Sequence, residues 1–161
     1  MVEGKNDFYT LNYLQEIIIK PEQKIALLPG TGSGSLDTAI RLYYAWGRNF
    51  IVLLDSDAEG RKQKIRYKDG FNGIIQDRLF VLEDVDNSWS NCTMEKIFDS
   101  NDLLKIQKSV FAGTQNFDKK QFNIAIQENL AKRVAIPLSN TTIEKFKRLL
   151  DFLTKSLAKS S

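Results

Sequence analysis

Phe50-Ile51-Val52-Leu53-Leu54 is an unbroken apolar run that ends in Asp55-Ser56-Asp57, and it constrains the fold more than any other stretch of the chain. The run includes β-branched Ile51 and Val52 and has no polar face, so it reads as a strand covered on both sides. Strands of that kind sit inside parallel sheets, between layers of helix. Two carboxylates two positions apart then leave its carboxyl end, where open α/β sheets place their ligands. Their like charges repel unless a cation lies between them, and a divalent ion is the usual solution. Asp-x-Asp also closes ordinary turns, so that plainer reading stands beside the metal-binding one.

A second acidic pattern lies at Met1-Val2-Glu3-Gly4-Lys5-Asn6-Asp7. The apolar residues that follow, Phe8, Leu11, Tyr13, Leu14, Ile17 and Ile18, have mostly helical spacing. Val2 therefore reads as the tail of a strand, Glu3 as its last residue, and Gly4 as the turn into a helix capped by Asn6 or Asp7. Singly, Asp7 could serve only as a cap and Glu3 only as a solvated strand end. Two acidic strand ends in one small α/β chain are harder to dismiss.

With 161 residues, 42% of them hydrophobic and 27% charged, the chain has the size and composition of one globular domain. A net charge of +3 is too small to diagnose nucleic-acid binding. The absence of histidine excludes Ser-His-Asp triads, His-ligated zinc and histidine bases. Cys92 is the only cysteine, which leaves no intrachain disulfide and no thiolate cluster. Carboxylates, lysines and bound metal remain for any chemistry. No membrane span or signal pattern is visible, so the expected location is the cytoplasm.

Glu3-Gly4-Lys5-Asn6-Asp7 and Asp55-Ser56-Asp57-Ala58-Glu59-Gly60-Arg61-Lys62 resemble the two signature motifs of the Toprim domain. Topoisomerases, bacterial primases, small RNA-maturation nucleases and the overcoming-lysogenization-defect (OLD) nucleases share that fold. The resemblance implies an α/β fold with a mainly parallel, Rossmann-like sheet flanked by helices. It also implies that Glu3, Asp55 and Asp57 gather around Mg²⁺ or Mn²⁺. Met94-Glu95-Lys96-Ile97-Phe98 is similar to the short helix with an inward-facing Glu that follows the Asp-x-Asp strand in OLD-type enzymes. That likeness implies a second metal position formed by Glu95 with Asp7; a plain helix-surface Glu is the alternative. A lysine near the start of the terminal region assists the OLD-type site, and Lys132 is the residue matched to it. Asp-x-Asp-x-x-Gly-Arg-Lys also occurs in bacterial primases, but little else here is primase-like.

Other stretches carry weaker signals. Lys24-Ile25-Ala26-Leu27-Leu28 and Leu79-Phe80-Val81-Leu82 read as further strands. Thr31-Gly32-Ser33-Gly34-Ser35 opens a helical pattern from Leu36 to Trp46; it is either a tight connection or a loop near a substrate phosphate, and it lacks the Lys-Ser or Lys-Thr of a Walker loop. Arg61, Lys62, Lys64 and Arg66 fit either a solvated helix face or a basic rim contacting a nucleic-acid backbone. Glu59 suits the start of that helix and is not assigned as a ligand. Beyond Leu103 the pattern is helical, with stripes at Phe122, Ile126, Leu130 and at Ile143, Phe146, Leu149, Leu150, Leu153. The tail from Lys155 to Ser161 reads as frayed.

The expected organisation is a catalytic core over residues 1–100 and a helical C-terminal extension over residues 101–161, packed together as one unit. The first strand has almost no room before Glu3, so the chain reads as a piece of a longer protein. The expected activity is a metal-dependent endonuclease acting on DNA by a two-metal mechanism. Primase-type nucleotidyl transfer and a non-catalytic nucleic-acid-binding module are the alternatives. Expected partners are DNA, an upstream ATPase domain of the kind OLD-type enzymes carry, and a second copy in a homodimer.

Overall fold

Three residues of the apolar run, Val52 to Leu54, become the covered strand, and Phe50 and Ile51 lead into it. In the computed structural model, which describes residues 1–30 and 36–159, Val52–Leu54 forms β1 and Leu79–Val81 forms β2. The two pair in parallel, with Val52 opposite Leu79 and Leu54 opposite Val81. Val2 widens this two-stranded sheet through single parallel bridges to Leu53 on one side and Pro29 on the other. The Leu53 N–H donates to the Met1 carbonyl at 2.9 Å, and the Val2 N–H donates to the Leu28 carbonyl at 3.0 Å. Lys24–Leu28, expected as a strand, is therefore an extended segment tied to Val2 without a regular ladder of its own. The Gly-rich stretch at 31–35 lies outside the described residues.

Side by side, the extended segments run 28–30, 1–3, β1, β2. The chain leaves segment 1–3 toward one edge and returns to pair on its other side. That reversal opens a crevice at the carboxyl ends of segment 1–3 and β1, the place where such sheets hold ligands.

Alternation along the central run sorts its side chains onto two faces. Phe50, Val52 and Leu54 join Leu36, Ile40, Tyr67, Phe71, Leu79 and Val81 in one buried cluster. Helices α2 (Leu36–Ala45) and α3 (Ala58–Gly70) supply much of that layer. Ile51 and Leu53 face the larger cluster, with Leu11, Leu14, Ile97, Phe122, Phe146 and Leu153. This opposite layer is built by α1 (Lys5–Tyr13), the short α4 (Leu82–Val85), α5 (Ser100–Lys108), α6 (Lys119–Lys132) and α7 (Asn140–Lys159). Helices on both faces of a parallel sheet explain why the run is apolar throughout.

Helix α6 packs against both α1 and α5. Tyr13 is fully buried, and its hydroxyl donates to the Val134 carbonyl at 3.1 Å and accepts from the Ile136 N–H at 3.0 Å. It thereby fixes the segment that joins α6 to α7. Asp102, also fully buried, accepts from the Ser139 N–H at 3.0 Å and from its Oγ at 2.6 Å. Thr142, Asp99 and Lys145 extend this polar knot, which joins the start of α5 to the start of α7. The tail expected to fray is helical as far as Lys159, because Leu153, Phe152 and Leu157 continue the apolar stripe of α7. Among the described residues no helix is long and apolar enough to cross a membrane.

Candidate metal centre

Glu3 and Asp55 leave neighbouring strand ends at the crevice, and the backbone links them directly: the Asp55 N–H donates to Glu3 Oε2 at 3.3 Å. Two glycines make this closeness feasible. A Cβ on Gly30 would lie 2.3 Å from the Glu3 carbonyl oxygen, and one on Gly60 would lie 2.0 Å from the Asp55 carbonyl oxygen. Both distances are far inside van der Waals contact, so any larger residue would push the strand end carrying its carboxylate. Ser56, fully buried between the two aspartates, accepts the Glu83 N–H on its Oγ at 2.6 Å. Its own N–H donates to the Cys92 carbonyl at 2.8 Å.

Asp57 caps α3, with Oδ1 accepting the Gly60 N–H at 2.9 Å. Asp7 reaches back across the first turn of α1, where Oδ2 accepts the Gly4 N–H at 3.1 Å. The N-cap of α1 is Gly4 rather than Asn6 or Asp7, since the helix begins at Lys5 and Asp7 closes its first turn from within. Asp57, not expected as a cap, is the N-cap of α3, and each of these bonds occupies a single carboxylate oxygen. Asp55 Oδ1 accepts the Met94 N–H at 3.1 Å, which anchors the 3₁₀ turn Met94–Ile97 over the crevice. Phe98, just beyond that turn, packs between Phe122 and Phe146 at centroid distances of 5.4 and 4.6 Å. Ring contacts of this kind add about 0.5–1.5 kcal/mol each beyond area burial. Glu95, on the turn, is buried rather than displayed on a helix surface, and its Oε1 meets Lys119 Nζ at 3.0 Å.

The cluster is strongly coupled. Burial, followed by the charges of Asp7, Glu3, Glu95 and Asp57, raises the Asp55 pKa to about 8. Burial raises Asp7 to about 7, opposed by the Gly4 N–H and reinforced by Glu95 and Glu3. Glu3 is also raised, chiefly by burial, with Asp57 and Glu59 adding to the effect. Burial works to lower the Lys119 pKa, but its bond to Glu95 and the charges of Asp55 and Asp7 outweigh that and raise it. Near neutral pH Asp7 and Asp55 therefore still carry protons in part, and the Lys119 ammonium balances some of the negative charge that remains.

Glu3, Asp7, Asp55, Asp57 and Glu95 therefore act on one another across three separate chain segments. Lys132 does not join them. It pairs with Glu128 on an exposed surface at 2.7 Å and stands at the far end of α6 from Lys119, about 20 Å away at the helical rise. Lys119 is the lysine at the carboxylates, and local pattern offered no means of finding it: Asp118-Lys119-Lys120 looks like any polar helix start. The basic run on α3 is largely spoken for. Arg61 pairs with Glu83 at 2.6 Å, Lys64 with Asp84 at 2.6 Å and Arg66 with Asp37 at 3.2 Å. Lys62 makes no ion pair among the described residues. Glu59 accepts from Gln63 at 2.7 Å and touches the site only through its charge on Glu3.

Hard carboxylate oxygens with protons held at neutral pH suit a hard divalent cation such as Mg²⁺ or Mn²⁺. As they stand, no three such side chains among the described residues surround a single ion position. Mg²⁺ does not require a complete protein cage, since it commonly keeps several waters and binds one or two carboxylates together with substrate phosphate. Comparison with known protein families, with characterised proteins and with solved structures returned no match.

Proposed function

We propose that this chain is a Toprim-type catalytic domain of the OLD nuclease kind, which nicks or cleaves DNA phosphodiester bonds with Mg²⁺ or Mn²⁺. The observation that carries the reading is the gathering of Glu3, Asp55, Asp57, Asp7 and Glu95 at the crevice where the strand order reverses, with the Asp55 N–H on Glu3 Oε2 and with burial, followed by the neighbouring charges, raising Asp55 to about 8. Glu3, Asp55 and Asp57 are assigned the principal ion, and Asp7 and Glu95 a second. As no three of them converge on one position among the described residues, each ion would begin on one or two carboxylates, with waters and substrate phosphate completing it. When bound, such ions compensate phosphate charge and lower the pKa of attacking water.

The protein's own groups have distinct tasks. The backbone N–H groups of Gly4, Asp55, Gly60 and Met94 each hold one oxygen of a carboxylate, which fixes its rotamer before substrate arrives. Lys119, at the edge of the cluster, places a positive charge where a phosphate would approach, a preorganised arrangement that favours developing negative charge. An upstream ATPase domain and a second copy of the chain belong to the same proposal as partners of the full-length protein.

Incubation with supercoiled plasmid and Mg²⁺ or Mn²⁺ tests the reading. Conversion to open circle is expected for the parent and abolished in Asp55→Ala. A protein that binds plasmid and cation but never nicks would instead be a binding module.

A further inference from the structure

Between the start of α1 and the exposed face of α6 runs a groove of about 520 Å³, lined by Lys5, Asn6, Lys119, Lys120, Asn123 and Ile124, with Gln127 at its end. We propose that this groove holds a single polynucleotide strand through its sugar–phosphate backbone and leads it to the carboxylate cluster. The assignment rests on the phosphodiester reading given above and adds the track that the strand follows.

Three observations support it. The groove adjoins the site: Lys119 lines it while bonding Glu95 at 3.0 Å, and Asn6 precedes Asp7 in the chain. Its cations are available, because Lys5 and Lys120 are exposed and make no ion pair among the described residues, unlike Arg61, Lys64 and Arg66 on α3. Its floor also contains an unused amide. Asn123 is only 8% exposed and lines the groove, yet its side chain has no hydrogen-bond partner among the described residues. Its polar atoms are not sealed from water, the buried side-chain polar atom left without a partner among the described residues being Gln63 Oε1, so a strand entering the groove would exchange that water for a sugar or phosphate oxygen.

The chemistry selects a strand rather than an isolated anion. Along α6, Lys119, Lys120, Asn123 and Gln127 cover about 12 Å at the helical rise, room for a few successive nucleotides. Ammonium and amide groups serve phosphate and sugar oxygens, and Ile124, 37% exposed, offers apolar contact to a sugar. No aromatic residue lines the groove, so base stacking has no platform and binding should be indifferent to sequence.

Fluorescence anisotropy with a labelled thymidine 12-mer, over a series of salt concentrations, tests the assignment in EDTA and again in Ca²⁺. Lys5→Ala with Lys120→Ala should weaken binding about tenfold and reduce the log–log salt slope by about 1.4, at about 0.7 per phosphate contact on a single strand. Lys62→Ala with Lys64→Ala should leave the slope unchanged. Asn123→Asp, nearly identical in shape, should weaken binding comparably by adding a negative charge to the floor.

Loss of slope in the α3 variant but not in the groove variant would overturn the assignment. So would parental affinity in Asn123→Asp, absence of oligonucleotide binding by the parent in both conditions, or equal displacement by polyglutamate. Thermal melting of the same proteins with Mg²⁺ and Mn²⁺ keeps the two proposals separate. A cation shift without groove dependence rejects the groove alone; groove-dependent binding without any cation shift rejects the metal site alone.

Discussion

Raising the pH from about 5 to about 7 in the absence of divalent cation should weaken this fold. In the unfolded chain an aspartate ionises near 3.9, whereas the folded protein holds Asp7 to about 7 and Asp55 to about 8. Across this interval the folded state keeps two protons that the unfolded state has released, so stability falls as pH rises. The loss begins above the unfolded value and is complete once pH passes the two folded values. Fully expressed, two protons at about 1.36 kcal/mol per pH unit would amount to roughly 5 kcal/mol over two units. Both side chains are partly open to water, and screening reduces the effect to about 2–3 kcal/mol. For a chain of this size that is a fall in Tm of about 5–10 °C.

Circular dichroism melts in EDTA at constant ionic strength measure the fall directly, and Asp7→Asn with Asp55→Asn should flatten it. Mg²⁺ or Mn²⁺ must displace the same protons, so stabilisation by cation should grow over the interval. Asp99 and Asp102 do not blur the result: hydrogen bonds from Lys145 and Ser139 hold Asp99 low, and those from Ser139 and Thr142 outweigh burial at Asp102. Their contribution is lost only in stronger acid. The Met1 ammonium, lowered to about 6 by burial, works the other way from about pH 6 upward and offsets part of the fall. A melting temperature that is flat or rising even from about pH 5 to 6 in EDTA would refute the burial and charge coupling that raise Asp7 and Asp55.

Three further outcomes follow from contacts described above. Gly60→Ala should cost about 2–3 kcal/mol in urea unfolding, because the new methyl group meets the Asp55 carbonyl and the strand end must move; unchanged stability would show that the approach is not tight. Asp102→Ala should cost about 3–5 kcal/mol by the same measurement, since it leaves Ser139, and Lys105 whose Nζ meets Asp102 Oδ1 at 3.2 Å, without their buried carboxylate; a loss below about 1 kcal/mol would count against the polar knot as a structural tie. Glu95→Gln should leave the melting temperature in EDTA equal or slightly higher, because it removes one charge from a repelling group. It should nevertheless raise the Mn²⁺ concentration needed for nicking; nicking equal to the parent at every concentration would remove Glu95 from the site.

Legibility in the sequence tracked the range of the interactions. Phe50–Leu54 was readable because its burial is written into adjacent residues, and the acidic strand ends followed from it. Lys24–Leu28 carried similar apolar content, yet among the described residues its backbone tie to the sheet is the Val2 N–H on the Leu28 carbonyl, beside a single bridge from Val2 to Pro29, and that does not make a regular strand. The charges on α3 looked free because Glu83, Asp84 and Asp37, which engage them, come from other elements. Lys119 was invisible for the same reason: nothing near it in the chain announces that Glu95 will be brought alongside. Lys132, chosen by its position in the chain, completes an ordinary i,i+4 pair with Glu128. Gly30 and Gly60 owe their necessity to approaching backbone that only the folded structure reveals.

The bonds that close the crevice span long stretches of chain, 52 residues from Glu3 to Asp55 and 39 from Asp55 to Met94. Contacts of such separation assemble late, after the entropy of long loops has been overcome. An interaction absent from the folding transition state leaves the folding rate nearly untouched and slows unfolding instead. Whatever neutralises these carboxylates in the finished protein therefore acts as a latch on its lifetime: it helps little in getting the chain folded, and it sets how long the folded chain endures.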